Sequence, residues 1–316
     1  MSLNAVRPKI LGFISEDVSA WLVALVVLLV GGILTALLAW STLNLFHQQL
    51  RQRFQLLASE RYSRIEERFE DQEQRLDGVR RFFANSNSVS RHEFDGYTQP
   101  LLHRTQAYSF ARRVSHAERP EFERQVREEG LPDFTIRDLM PNGQLQLAAE
   151  RDEYVPVLFS QTHTTIGSPL GFDLLAQPLR RATLERADAS GDMAVSQPLH
   201  LISTEPSYAR GVLLVAPVMS RSSPGAAAAK PYGYVMAVIS MRQLLADGLP
   251  EADRDYLSVR ILDLSNGDQH EVLFESLNTP ATSELSASRL LRMADHDYQI
   301  DILPSEAFMK SNHSSV

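Results

Sequence analysis

The sequence predicts an α+β protein: an N-terminal transmembrane helix that continues into a long stalk helix, then two antiparallel-sheet units. Three observations predict it. Val18 to Trp40 holds 23 residues without a charge. Phe46 to Phe83 contains no proline and, before Gly78, no glycine. Beyond Asn85, short apolar strands alternate with polar helices, and a helix-rich connection followed by antiparallel strands occurs twice, which gives sheets with helices on one side.

The apolar stretch comes first. At 1.5 Å per residue, Val18–Trp40 makes about 35 Å of helix, against a hydrocarbon core of roughly 30 Å. Trp21 and Trp40 stand near its two ends, where amphipathic rings favour the interface. A signal peptide has a shorter apolar region, roughly 7–15 residues, so the stretch reads as an uncleaved anchor even though Ala39-Trp40-Ser41 is a passable cleavage site. Charge leaves the orientation open. Arg7 and Lys9 precede the span and Arg51, Arg53, Arg61, Arg64 and Arg68 follow it. Counting them puts the bulk inside, but long domains translocate largely regardless of charge.

The stalk carries Leu50, Phe54 and Leu57, then, after a one-residue slip, Ala58, Tyr62, Ile65, Phe69, Gln72, Leu76, Val79 and Phe83. The second set steps alternately by four and three, a heptad seam. Two compatible readings follow: the seam packs along its own domain, or it pairs with a second copy as a homodimer stalk. Asn85–Ser88 ends the helix. Arg91–Gln106 reads as a short helix, Tyr108–Val114 as a strand, and His116–Gly130 as a polar helix closed by glycine. Phe134–Leu139 and Tyr154–Phe159 read as strands. A helix then runs to about Ala189, with Pro178 in its first turn and Gly191 as its C-terminal cap. Ala194–Ile202, Gly211–Val218 and Tyr232–Met241 are strands, the last two apolar throughout, with a loop at Ser220–Pro231. Leu257–Leu264, a turn at Ser265–Asp268, His270–Phe274, Ser288–Met293 and Tyr298–Leu303 form the smaller second sheet.

Composition excludes several function classes. Across 316 residues, Lys plus Arg is 31 and Asp plus Glu is 39, a net charge of −8. Nucleic-acid binding would need a basic footprint, which is missing. There is no cysteine, so thiol catalysis, thiolate metal sites and disulfides are excluded. The nine histidines are scattered, and no nucleophile elbow, P-loop or dinucleotide fingerprint occurs. No catalytic residue, metal site or cofactor is therefore expected.

Residues from about 90 to 245 resemble the CHASE domain, the extracytoplasmic sensor of bacterial receptor kinases and cyclic-dinucleotide enzymes and of plant cytokinin receptor kinases. The segments that carry the resemblance are Glu153–Gln161, Gly171-Phe172-Asp173-Leu174, Arg180-Arg181-Ala182 through Ala187–Gly191, Gly211–Val218 with Pro217, and Tyr232–Val235. The resemblance implies that the two sheet units are PAS-like, the membrane-distal one holding a small ligand. It also implies a periplasmic bulk on a single-pass inner-membrane anchor. The segments then are 1–17 cytoplasmic, 18–43 transmembrane, 44–88 stalk, 89–245 ligand unit and 246–316 membrane-proximal unit.

By resemblance, Asp173 stands where an aspartate holds the adenine edge of a cytokinin, although it could equally cap the following helix. Val195, Leu214, Ala216, Tyr234 and Ala237 stand at further ligand-contact positions. Ala237 replaces a glycine there and Ala216 an aromatic residue, so the implied ligand is small and partly apolar with an amine or amide edge, adenine-type compounds being one example. In this family a second membrane helix and a kinase or cyclase follow the sensor; neither stands in this sequence. The alternative reading is a membrane-anchored interaction protein without a small-molecule ligand.

Overall fold

The computed structural model describes residues 13–140, 144–162, 168–201, 210–220, 230–246, 256–265, 270–276 and 278–313. They fall into two compact units, Met1–Leu56 and Leu57–Val316. One helix, α1 (Phe13–Asn85), contributes to both. Most of the expected Ser265–Asp268 turn and of the Ser220–Pro231 loop lies outside the described residues.

In the first unit the side chains from Trp21 to Leu45 are exposed. This is the one helix among the described residues long and apolar enough to cross a membrane. Two of its hydroxyls turn inward: Thr35 and Thr42 each donate to the carbonyl one turn back, at 2.8 Å. That is how a polar side chain is satisfied in a hydrocarbon setting.

In the second unit α1 is a spine. The whole predicted seam, from Ala58 through Phe83, is buried, and its partners within the unit are two sheets of the same chain. The first sheet has five main strands: β1 (Ala107–Arg112), β6 (Val157–Thr162), β7 (Ala194–Val195), β9 (Arg210–Val218) and β10 (Gly233–Ile239). They run in the order β6-β1-β10-β9-β7, with β8 (Leu199–His200) also on β9. Numbered among themselves along the chain, the main strands run 2-1-5-4-3. The second sheet is β12-β11-β14-β13, formed by Leu257–Asp263 (β11), Glu271–Glu275 (β12), Ala287–Met293 (β13) and His296–Pro304 (β14). Both sheets are antiparallel, as expected.

Phe83 stacks on Phe110 of β1 at 4.2 Å between ring centres, and Gln72 accepts from the Thr105 hydroxyl at 2.7 Å. Thus the amide oxygen of the seam's Gln72 finds a partner in its own domain, while its Nε2 has none among the described residues. On the other side, Phe69 meets Tyr298 of β14 edge-on at 5.7 Å, and Tyr62 donates to the Ile300 carbonyl at 3.3 Å. Each large side chain buried this way contributes about 1.5–3 kcal/mol relative to exposure.

The local details follow from the sequence with identifiable exceptions. Helix α2 (Arg91–Thr98) opens on a capping box between Ser90 and Glu93, then tightens into a 3₁₀ turn from Gln99, because Pro100 interrupts the α-helical ladder. The expected strand Ala194–Ile202 is split into β7 and β8, with Pro198 between them. Two further pairs of short strands, β2 (Val114–Ser115) with β5 (Glu153–Tyr154) and β3 (Arg137–Leu139) with β4 (Leu145–Leu147), form separate two-stranded sheets. Helix α3 (Arg119–Glu128) precedes β3. Helix α4 (Pro178–Ser190) begins on its proline and ends on Gly191 in the left-handed region, φ +70°, as predicted. The short α5 (Met241–Ala246) follows β10, and α6 (Glu306–His313) closes the described chain.

Candidate functional site

The two faces of the first sheet are set by strand alternation. Ser109 pairs with Met236, Ala107 with Val238, and Val238 with Leu213. These five side chains line a cavity of about 80 Å³. Val157, Phe172, Leu174 and Leu199 add to an apolar wall, while Gln106, Ser160 and Thr162 contribute polar groups near the sheet. Helix α4 contributes Arg180. Phe172 and Leu174 reach the wall because the chain turns back after β6. Gly171 makes that possible: its φ is +80°, and a Cβ there would stand 2.2 Å from the Thr135 carbonyl oxygen.

Arg180 is buried, with its guanidinium carbon 5.2 Å from the centre of the Phe172 ring. Burial alone pushes its pKa down to about 10. Ser109 and Ser160 hydroxyls bond each other at 3.0 Å. A few placed polar groups on a mostly apolar wall is the general pattern of a small-molecule site.

The residues that the resemblance marks as ligand contacts do not line this cavity. Asp173 is fully buried, but it does not line the cavity. One carboxylate oxygen accepts from the Val155 and Leu175 backbone N–H groups at 2.8 and 3.1 Å. The other takes the Arg151 guanidinium at 2.5 Å. Burial raises its pKa in spite of those three donors. It caps the short 3₁₀ turn at Leu174–Ala176 and ties that turn to the strand region before β6.

Leu214 pairs with Ala237, Ala216 with Val235, and Val195 with Leu214. All lie on the sheet face that carries Phe110, opposite the cavity. Small side chains at Ala216 and Ala237 suit the helix packed on that side. Tyr234 lies on the cavity face but toward the other end, where its hydroxyl donates to Asp188 at 2.5 Å and receives Arg113. Burial, then Asp188, push its pKa well up. Arg151, Arg113, Asp188 and Glu153 line a separate, open polar cleft of about 600 Å³. Asp173 and Tyr234 are therefore bonded to the walls of that cleft without lining it.

Arg180 lines the cavity but is not among the expected contact residues. The signal was present in the spacing: Arg180, Thr183, Leu184 and Ala187 recur at i, i+3, i+4 and i+7, and all four are buried. No cluster of metal-ligating side chains occurs among the described residues.

The CHASE domain family matches residues 87–274, which covers the first sheet and reaches into the second. Among curated proteins, the chain is similar to Histidine kinase 3 of Arabidopsis thaliana, 28% identical over 207 residues, or 58% of this chain and 19% of that protein. It is similar also to Probable histidine kinase 4 of Oryza sativa subsp. japonica, 28% identical over 186 residues, 57% of this chain and 17% of that protein. Histidine kinase 2 of Arabidopsis thaliana is 27% identical over 197 residues. The chain spans less than a fifth of the length of these relatives.

Proposed function

The chain belongs to the CHASE-domain family, and from that premise we propose that it is the ligand-sensing region of a membrane-bound receptor, with the Ser109–Met236–Arg180 cavity as its sensing site. The observation that carries this is a mostly apolar cavity with placed polar groups, lying between one sheet face and Arg180 of α4, inside the segment the family covers. The Val18–Trp40 span anchors the chain in the inner membrane and the sensing unit faces the periplasm, the side on which a sensor of external compounds has to lie. The ligand is small and partly apolar, as the wall requires. The amine or amide edge expected for it depended on a free Asp173 carboxylate, and that carboxylate is already occupied by Arg151 and two N–H groups. Asp173 acts as a positioning residue for the turn that delivers Phe172 and Leu174.

The signal leaves through α1 toward a kinase or cyclase output carried by a longer protein or a partner. Within the Leu57–Val316 unit, a homodimer through α1 would meet on its outward stripe of Ser63, Glu67, Glu70 and Gln74, which is exposed and polar, because the apolar seam there is filled by the sheets.

Filling the cavity tests the reading. With the full chain in detergent, small-molecule thermal-shift responses seen in the wild type should vanish in Ala107→Phe and persist in a control such as Leu147→Phe on the exposed β4 surface. Responses that survive the filling substitution would remove the cavity from the sensing role.

A further inference from the structure

We propose that the cavity selects a monoanionic ligand, a carboxylate on an apolar body, and that Arg180 binds its charge; this rests on the cavity being the sensing site.

Arg180 is placed where a cation is unfavourable on three counts. Only 8% of its surface is exposed. No acceptor or carboxylate meets its side chain among the described residues, and its one contact of note is with the Phe172 ring. It also occupies the third residue of α4, at the positive end of the helix. The other two arginines buried to the same degree, Arg61 and Arg68, both have interaction partners; Arg68 donates to the Leu244 carbonyl.

Nor does a side-chain cap relieve the helix end among the described residues. The first turn of α4 has no side-chain cap, because the Gln177 amide donates instead to the Leu139 carbonyl at 3.0 Å. A buried guanidinium with no partner is costly unless something completes it. Its planar fork matches a carboxylate with two parallel N–H···O bonds, the strong form of the interaction. Arg180 is the only charged side chain among the described residues that line the cavity. One negative charge is therefore balanced, whereas a dianion brings an uncompensated charge into an apolar wall. An amine in the same place is repelled. The apolar wall opposite, from Leu213, Met236 and Val238, takes the body of the ligand.

The experiment uses the full chain in detergent and three probes of one shape: phenylacetate, phenylacetamide and phenethylamine, extended by benzoate and hexanoate. Binding is read by calorimetry and by thermal shift. At least one carboxylate should bind tenfold or more tighter than the amide, with no binding of the amine. Arg180→Met should weaken that carboxylate by about ten- to a hundredfold and leave the amide unchanged. Arg180→Met should also raise the melting temperature of the ligand-free chain, since it removes a buried charge that has no acidic partner among the described residues; a purely structural arginine would lower it. Arg180→Lys should fall between, keeping charge and losing the fork.

The anion assignment is overturned if the amide or amine matches the carboxylates, if no carboxylate binds, if Arg180→Met retains the carboxylate, or if Arg180→Met lowers the ligand-free melting temperature. None of those results touches the sensing role of the cavity, which fails only by the Ala107→Phe test.

Discussion

His296 shows how the second sheet handles polar groups at the level of single residues. Its ring is buried, and Nδ1 has no partner among the described residues; neither do the Tyr298 hydroxyl and the Asp263 Oδ2 atom. Burial lowers its pKa below the ordinary 6.5; Asp295, Asp263 and Asp297 oppose this, and Arg186 reinforces it. The folded protein thus binds a proton at this ring less readily than the unfolded chain does. Stability from His296 is complete above pH 6.5. It declines as pH falls below that value and is lost once pH drops through the lower folded pKa. Melting temperatures across pH 7.5 to 4.5 should fall along that window in the wild type and fall less steeply in His296→Asn. A parallel decline in the variant would assign the acid sensitivity to other groups. Asp173 gives the contrasting case. A carboxylate that reads as a ligand contact by its place in the family's pattern is bonded on both oxygens by its own protein.

At the level of elements, the apolar seam of α1 is the strongest feature of the sequence, and it serves its own domain. Phe83 lies at its end, stacked on Phe110 and near Phe94 and Phe159. Phe83→Ala should cost about 3–5 kcal/mol, measured by urea unfolding of the full chain in detergent. A cost below about 1 kcal/mol would mean that this end of α1 is not held by the first sheet. The seam, the caps at Pro178 and Gly191, and the two apolar strands β9 and β10 were all legible, because helix period and turn chemistry are local. Which face of β9 and β10 meets the cavity was not. A slip of one residue exchanges the faces of a strand, and polarity normally marks the outer one. Here α1 covers one face and α4 with the cavity covers the other, so every side chain from Val212 to Ala216 is apolar and buried. Leu214 and Leu213, or Ala237 and Met236, are indistinguishable by composition. The split of Ala194–Ile202 was legible in Pro198. Arg180 was legible only through its helical spacing, since Arg180-Arg181 by itself resembles a solvated pair.

Across the Leu57–Val316 unit, the two sheets share α1 and are also joined by α4. Arg186, almost two turns after Arg180 on the same helix, bonds Asp295 at 2.7 Å in the turn between β13 and β14. The other oxygen of Asp295 accepts from the Val195 backbone N–H at 2.7 Å. That same turn is tied to α1, where Glu73 accepts from the Ala294 N–H at 2.6 Å. A ligand that engages Arg180 therefore acts on a helix whose far side grips the second sheet, and that sheet's turn grips the stalk. Coupling through such a chain requires that ligand change the opening equilibrium of the turn, and amide exchange reads this directly. On addition of a carboxylate that binds the wild type, amides in β13 and β14, from Ala287 to Pro304, should exchange more slowly. Arg186→Gln should abolish that protection while leaving binding affinity within about twofold, because Arg186 does not line the cavity. Protection that persists in Arg186→Gln would route the effect through the first sheet and α1 instead. Protection absent in the wild type would mean that the second sheet does not register what the cavity holds.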